Sequence, residues 1–159
     1  MDVPNGERVR RRAHLDTDVV LHALGIDRDP DLHWPAKDLF FSGKQLVACL
    51  SIPTLGELAL KVAEKQGRKG VPAAMDWVFE RNEEGRLVFF GVEDESAFWT
   101  AAEIRSHDAR IGPTDALIVA YMIHDSAADV LYTTDGPVLE SDALLATLRE
   151  KGKKVLPLG

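Results

Sequence analysis

Short apolar runs alternate along this chain with segments whose apolar residues recur at helical spacing, a pattern that predicts a parallel sheet with crossover helices. Residues 10–15 read as a first strand, followed by a helix over 17–24. A loop rich in Pro and Asp, 27–35, leads to a short helical stretch at 36–41. The run 46–52 is continuously apolar, as a strand buried on both faces should be. Pro53 marks a break, after which Leu55, Leu58, Ala59, Val62 and Ala63 recur at helical spacing. A further helix is expected over 71–82, where Ala74, Trp77, Val78 and Phe79 supply apolar surface, and a third strand over 87–92. Residues 97–105 read as helical, and 113–124 as a strongly apolar helix led by Gly112. A fourth strand at 130–133, a last helix at 139–150 and a short edge strand at 154–158 complete the pattern. The expected fold is a three-layer α/β/α arrangement around a central, mainly parallel sheet of about four to five strands. No repeat, low-complexity tract or long linker interrupts it, so residues 1–159 are read as a single domain.

Composition narrows the classes. A hydrophobic share of 45% with 28% charged residues fits a soluble globular protein and excludes a disordered chain. No apolar stretch approaches the roughly 18 residues that a membrane span requires. The arginines from Arg8 to Arg12 suggest the start of a secretion signal, but Asp16 and Asp18 fall where its apolar segment would be. Cys49 is the only cysteine, so an intrachain disulfide is impossible; it lies in an apolar run and reads as a small buried hydrophobe. A cytoplasmic protein is the expectation. The net charge of −7 opposes a broad electrostatic grip on nucleic acid. Any RNA binding must therefore be local, through a basic patch or through metal ions that offset the acids.

Four acids fall at equivalent places in the expected fold. Asp16 ends the first strand, Glu57 follows the second, Asp115 opens the apolar helix, and Asp135 ends the fourth strand. In an open parallel sheet, ligands bind beyond the carboxyl ends of the strands, and all four can reach that edge. Each also has a structural explanation. Asp16 can cap the helix from Thr17, and T-x-x-E over Thr54 and Glu57 matches a capping box. Asp115 suits the positive end of its helix, and Asp135-Gly136 is a turn signal. Joint placement favours a site, because clustered carboxylates repel one another and a divalent cation relieves the repulsion.

The segments H-L-D-T-D-V-V-L at 14–21, P-T-L-G-E-L-A at 53–59, G-P-T-D-A-L-I-V-A at 112–120 and Y-T-T-D at 132–135 together resemble the four motifs of PIN-domain ribonucleases. The likeness is nearest to toxins of VapC type and covers nearly the whole chain in the family's order. It implies that Asp16, Glu57, Asp115 and Asp135 are the catalytic, metal-binding acids of an endoribonuclease that leaves a 5′-phosphate and a 3′-hydroxyl. Asp16, Asp115 and Asp135 would ligate Mg²⁺ or Mn²⁺ directly, with Glu57 ligating metal or orienting the water. Hard carboxylate oxygens suit both ions. Thr17 and Thr134 are placed to hydrogen-bond the acids or to serve as caps and core. Two departures stand out: Asp18 replaces the Asn common in the family, and Pro137, Val138 and Leu139 stand where many members have Phe. The resemblance further implies an antitoxin partner that blocks the acidic cleft, and a homodimer.

Three other readings compete. D-T-D-V-V at 16–20 resembles the loop of haloacid dehalogenase-like phosphatases, with Asp16 as nucleophile and Asp18 as acid/base, but the chain has no D-D pair and is short for that fold. His14, His22, His33, His107 and His124 offer metal-free acid/base catalysis, though none has a recognisable partner. The last alternative is a PIN-like module that binds RNA or protein without catalysis. Of the basic residues, Arg8, Arg10, Arg11 and Arg12 precede the first acid. Lys61, Lys65, Arg68 and Lys69 follow Glu57 and read as a solvated face that can also meet phosphates. Trp34, Trp77 and Trp99 are read as core or interface side chains, with base stacking the alternative.

Overall fold

The computed structural model describes residues 10–27, 29–42 and 46–159, so Arg8 of the leading basic cluster lies outside it. Five strands, β1 (Arg12–Leu15), β2 (Val47–Ser51), β3 (Leu87–Phe90), β4 (Ala128–Thr133) and β5 (Lys154–Pro157), form one sheet in the order β3-β2-β1-β4-β5. Every pairing is parallel. Among the described residues eight α-helices connect them: α1 (Thr17–Ala23), α2 (Pro30–Phe41), α3 (Ile52–Gln66), α4 (Val71–Glu83), α5 (Ser96–His107), α6 (Pro113–His124), α7 (Gly136–Glu140) and α8 (Asp142–Glu150). The expected three-layer α/β/α fold is the one observed.

Two apolar cores explain the layering. On one face, Leu15, Ala48, Leu50 and Leu87 from the sheet pack against Val20 and Leu21 of α1, Phe40 of α2, Leu58 and Val62 of α3, and Val78 of α4. On the other, Leu131 and Val155 meet Ile104 of α5, Ile118 and Met122 of α6, and Leu148 of α8. Each leucine taken fully out of water contributes about 1.5–3 kcal/mol. β2, an inner strand, is buried along its whole length, which is why residues 47–50 are continuously apolar rather than alternating. α6 is buried around most of its circumference, which explains its lack of a polar stripe.

Local signals correct three of the expected boundaries. The stretch 27–35 is not wholly a loop: Asp29 accepts a hydrogen bond from the Asp31 N–H, Pro30 occupies the first turn, and α2 runs through Pro35. Pro and Asp are helix-start residues there. At α3 the helix begins at Ile52, with Pro53 inside its first turn and Ser51 as the flanking residue. Thr54 is therefore buried within the helix and bonded to the Ser51 hydroxyl, so the Thr54–Glu57 capping box does not form. The last predicted helix is two, because Ser141 stops α7 and caps α8 through the Leu144 N–H. α3 ends at Gly67, whose φ of 75° lies in the left-handed region that only glycine adopts cheaply.

Candidate metal centre

The chain winds from β1 outward to β3, then crosses over to β4 on the far side of β1. The strand order therefore reverses between β1 and β4, and a crevice opens at their carboxyl ends. Asp16 follows β1 directly, and Asp135 lies just beyond β4. The Asp16 N–H donates to the Tyr132 carbonyl, which ties the two strand ends together. α6 leads back toward the start of β4 and is about 18 Å long, so its first turn, with Asp115, sits at the opposite, carboxyl edge. Glu57 lies in the second turn of α3, which leaves the same edge from β2.

Hydrogen bonds fix two of these acids. Asp16 is 4% exposed; it accepts from the Thr17 N–H at 2.7 Å on one oxygen and from the Thr133 hydroxyl at 2.7 Å on the other. The Thr133 hydroxyl oxygen also accepts from the Asp135 N–H at 3.0 Å, so one threonine bridges the first and last acids. Asp135 in turn accepts from the Val138 N–H at 3.0 Å and caps α7. From sequence, Thr134 is expected to hydrogen-bond an acid or to serve as cap or core; the hydroxyl that bonds Asp16 is that of Thr133. Asp16 and Asp135 are thus helix caps as well as candidate ligands, and each cap leaves further lone pairs on the carboxylate.

The electrostatics show which side chains converge. Burial pushes the Asp115 carboxyl up to about 7, reinforced by the nearby charges of Asp16, Asp135 and Glu57, with Lys61 working the other way. Burial also raises Asp16 to about 6; its bonds to Thr133 and Thr17 oppose the rise, while Asp18 and Glu57 add to it. Acids from four separate segments therefore feel one another. A signal missed in the sequence is Lys61, whose ammonium stands 2.9 Å from Asp18 and 3.2 Å from Glu57. Asp18, the second acid of the phosphatase reading, is thereby engaged by a cation.

Other candidates lie elsewhere. Arg11 pairs with Asp129 and Arg12 with Asp125, both toward the amino end of β1 and away from Asp16. Lys65 pairs with Asp27 at 2.7 Å. His14 bonds Asp125, His33 bonds the His22 carbonyl, and His124 bonds Thr100. Trp77 packs on Phe40 beneath Arg81, whereas Trp34 and Trp99 are 65% and 70% exposed.

Among the described residues, the one trio of metal-ligating types with ligand atoms within 4.8 Å of one another is His14, Cys49 and Asp125. Its chemistry is wrong for a cation. Asp125 is already paired with the Arg12 guanidinium, a charge that a bound cation would have to displace, and burial pushes the Cys49 thiol up to about 12, away from the thiolate that ligates metal. The four acids at the carboxyl edge stand farther apart than that trio, yet their donors fit a hard divalent ion. All are oxygens, two carboxyls are held above the ordinary range, and the buried Thr17 hydroxyl has no protein partner. Wider spacing suits Mg²⁺, which keeps several of its waters.

Comparison with known proteins identifies the fold and the family. Structures of similar fold include a chain of VapBC2 from Rickettsia felis bound to a promoter DNA fragment, at 17% identity and a TM-score of 0.58, covering 92% of this chain and 98% of that one. DNA-bound VapBC from Salmonella typhimurium gives 20% identity and a TM-score of 0.60, with 94% and 99% covered. VapC20 from Mycobacterium tuberculosis, a sarcin-ricin-loop-cleaving toxin, gives 20% and 0.59, with 78% and 90% covered. No curated protein matches the sequence. Residues 13–145 match the PIN domain, a span that holds all four acids and every strand from β2 to β4, and the chain belongs to the PIN domain family.

Proposed function

We propose that this protein is a divalent-metal-dependent endoribonuclease whose Asp16, Glu57, Asp115 and Asp135 form the catalytic, metal-binding site. The observation that carries the reading is the Asp115 carboxyl, raised to about 7 by burial and by acids from three other segments at the sheet's switch point. An isolated fold would gain nothing from that arrangement, since each added negative charge opposes the others. A bound Mg²⁺ or Mn²⁺ would ease deprotonation of a water and steady charge on the phosphate. The residues do the positioning. Thr133 and the Thr17 N–H hold Asp16 in one rotamer, and the start of α7 does the same for Asp135. Lys61 pairs with Glu57, which would then orient the attacking water. The net charge of −7 leaves the apo protein little general affinity for RNA, so binding would depend on the cation.

The protein is further read as the toxin of a toxin–antitoxin pair, acting in the cytoplasm. Support comes from the VapBC complexes of like fold and from VapC20, which cleaves the sarcin-ricin loop. Among the described residues no helix is long and apolar enough to cross a membrane. A cognate antitoxin protein is the expected partner. Phe98 and Trp99, exposed next to each other on α5, support pairing as a homodimer. The decisive test is RNA cleavage by wild type and Asp16→Asn with Mg²⁺, Mn²⁺ or EDTA. Wild type should cleave only with metal and Asp16→Asn not at all; cleavage that survives EDTA would sink the metal site. RNA binding without cleavage in Mn²⁺ would favour the non-catalytic module.

A further inference from the structure

Lys61 brings a positive charge into a cluster of negative ones. It lies four residues after Glu57 on α3, so the two side chains share one helical face. The packing of α3 on α1 brings Asp18 to the same ammonium, 43 positions away in sequence. Burial alone would lower the lysine pKa, but Asp18 and Glu57 overcome it and hold the group well above its ordinary value. The cluster thus has two unlike limbs. On one, Asp18 and Glu57 are spanned by an ammonium with contacts of 2.9 and 3.2 Å. On the other, Asp16 and Asp135 are joined through the Thr133 hydroxyl, and Asp16 and Asp115 carry raised pKa values.

We propose that Lys61 is a resident counter-ion that occupies the Asp18–Glu57 limb, so that the centre takes up one divalent cation, on Asp16, Asp115 and Asp135, and not two. The inference rests on reading those three acids as the direct metal ligands, with Glu57 orienting the water and not ligating the ion. A second ion on the Asp18–Glu57 limb would compete with the ammonium for the same two carboxylates, and would stand a few ångströms from a like charge. Asp18 is then a positioning residue that keeps Lys61 in place.

The test is a Mn²⁺ titration of metal-stripped protein, followed by calorimetry and by the electron paramagnetic resonance of free Mn²⁺. Wild type should bind one ion. Lys61→Met and Lys61→Gln should bind two, because the freed carboxylates open a second position. Lys61 is one-third exposed, so neither change removes core packing, and circular dichroism verifies the fold. Asp16→Asn should bind at least about tenfold more weakly. Two ions in wild type, or one in both Lys61 variants, overturns the role of Lys61. Wild-type-like binding by Asp16→Asn overturns the metal centre itself, which separates the two failures.

Discussion

The two ends of one sheet treat the same residue type in opposite ways. At the carboxyl edge, Asp16 is 4% exposed and held up at about 6; at the amino edge, Asp125 is 2% exposed and held down at about 2. Burial pushes both carboxyls upward, so burial does not make the difference. Donors do. Asp125 receives His14 at 2.8 Å, the Ala127 N–H at 3.0 Å and the Arg12 guanidinium at 3.2 Å, and these outweigh desolvation. Asp16 has two neutral donors, and its nearest charged neighbours named by the electrostatics are acids. His14 is itself held neutral by burial, so its Nε2–H donates to an ionised Asp125. The amino edge is a finished ion network that stabilises the fold. At the carboxyl edge Lys61 offsets only part of the clustered negative charge, as expected where a ligand is to supply the balance.

Substitution should break this contrast in opposite directions. Asp115→Asn is expected to lower metal-dependent cleavage by about 10²–10³-fold or more while leaving the melting temperature unchanged or raised, since one repelling charge is gone. Asp125→Ala should do the reverse: the folded protein keeps cleaving, but urea unfolding should show a loss of about 3 kcal/mol, because Arg12 and buried His14 lose their acceptor. A destabilised Asp115→Asn with an untouched Asp125→Ala would invert the assignment of the two ends.

Only the carboxyl-edge half of this contrast was legible in the sequence, and the limits have physical causes. β2 and α6 announce themselves because full burial requires continuous apolar residues. The acids after β1 and β4 follow from a rule about sheet edges that needs no side-chain detail. Thr133 was not legible, since which of two adjacent threonines faces Asp16 depends on the register of β4 against β1. Lys61 read as a solvated residue because its partner Asp18 lies on another helix, and only the α1–α3 packing joins them. The start of α2 was hidden by composition, Pro and Asp marking both loops and first turns. The Arg12–Asp125–His14 network spans more than a hundred positions and leaves no local trace at all.

A smaller effect follows from pH. Asp115 and Asp16 have folded pKa values near 7 and 6, above the ordinary 3.8, so between pH 4 and 7 the folded state binds more protons than the unfolded one. Stability from these groups therefore falls as pH rises through that window. Asp125, held near 2, acts oppositely: its contribution is present above pH 4 and is lost as pH falls toward 2. Below about pH 6.5 buried His14, whose pKa is lowered, works the other way, so the stability of wild type in urea should fall most clearly from pH 6.5 to pH 8, and Asp115→Asn should remove part of the decline, on the order of 1 kcal/mol. Mn²⁺ at pH 8 should restore wild type by binding the folded form alone. A decline that persists in Asp115→Asn and ignores Mn²⁺ would mean that other groups cause it.

The smallest expected effect separates the buried network of the amino edge from its exposed neighbour. Arg11 makes good bonds to Asp129 and to the Ser126 carbonyl, and on geometry alone it rivals Arg12. Its side chain is 48% exposed and that of Asp129 38%, however, so water and salt screen the pair and the ordering of two flexible side chains offsets what remains. Asp125 has no such access to water, and neither does the histidine beside it. Arg11→Ala should accordingly leave the urea midpoint unchanged within error at both low and high salt, while Asp125→Ala moves it in both. An Arg11→Ala loss as large as that of Asp125→Ala would show that the amino edge works as one network, with exposure no guide to which of its ion pairs hold the sheet together.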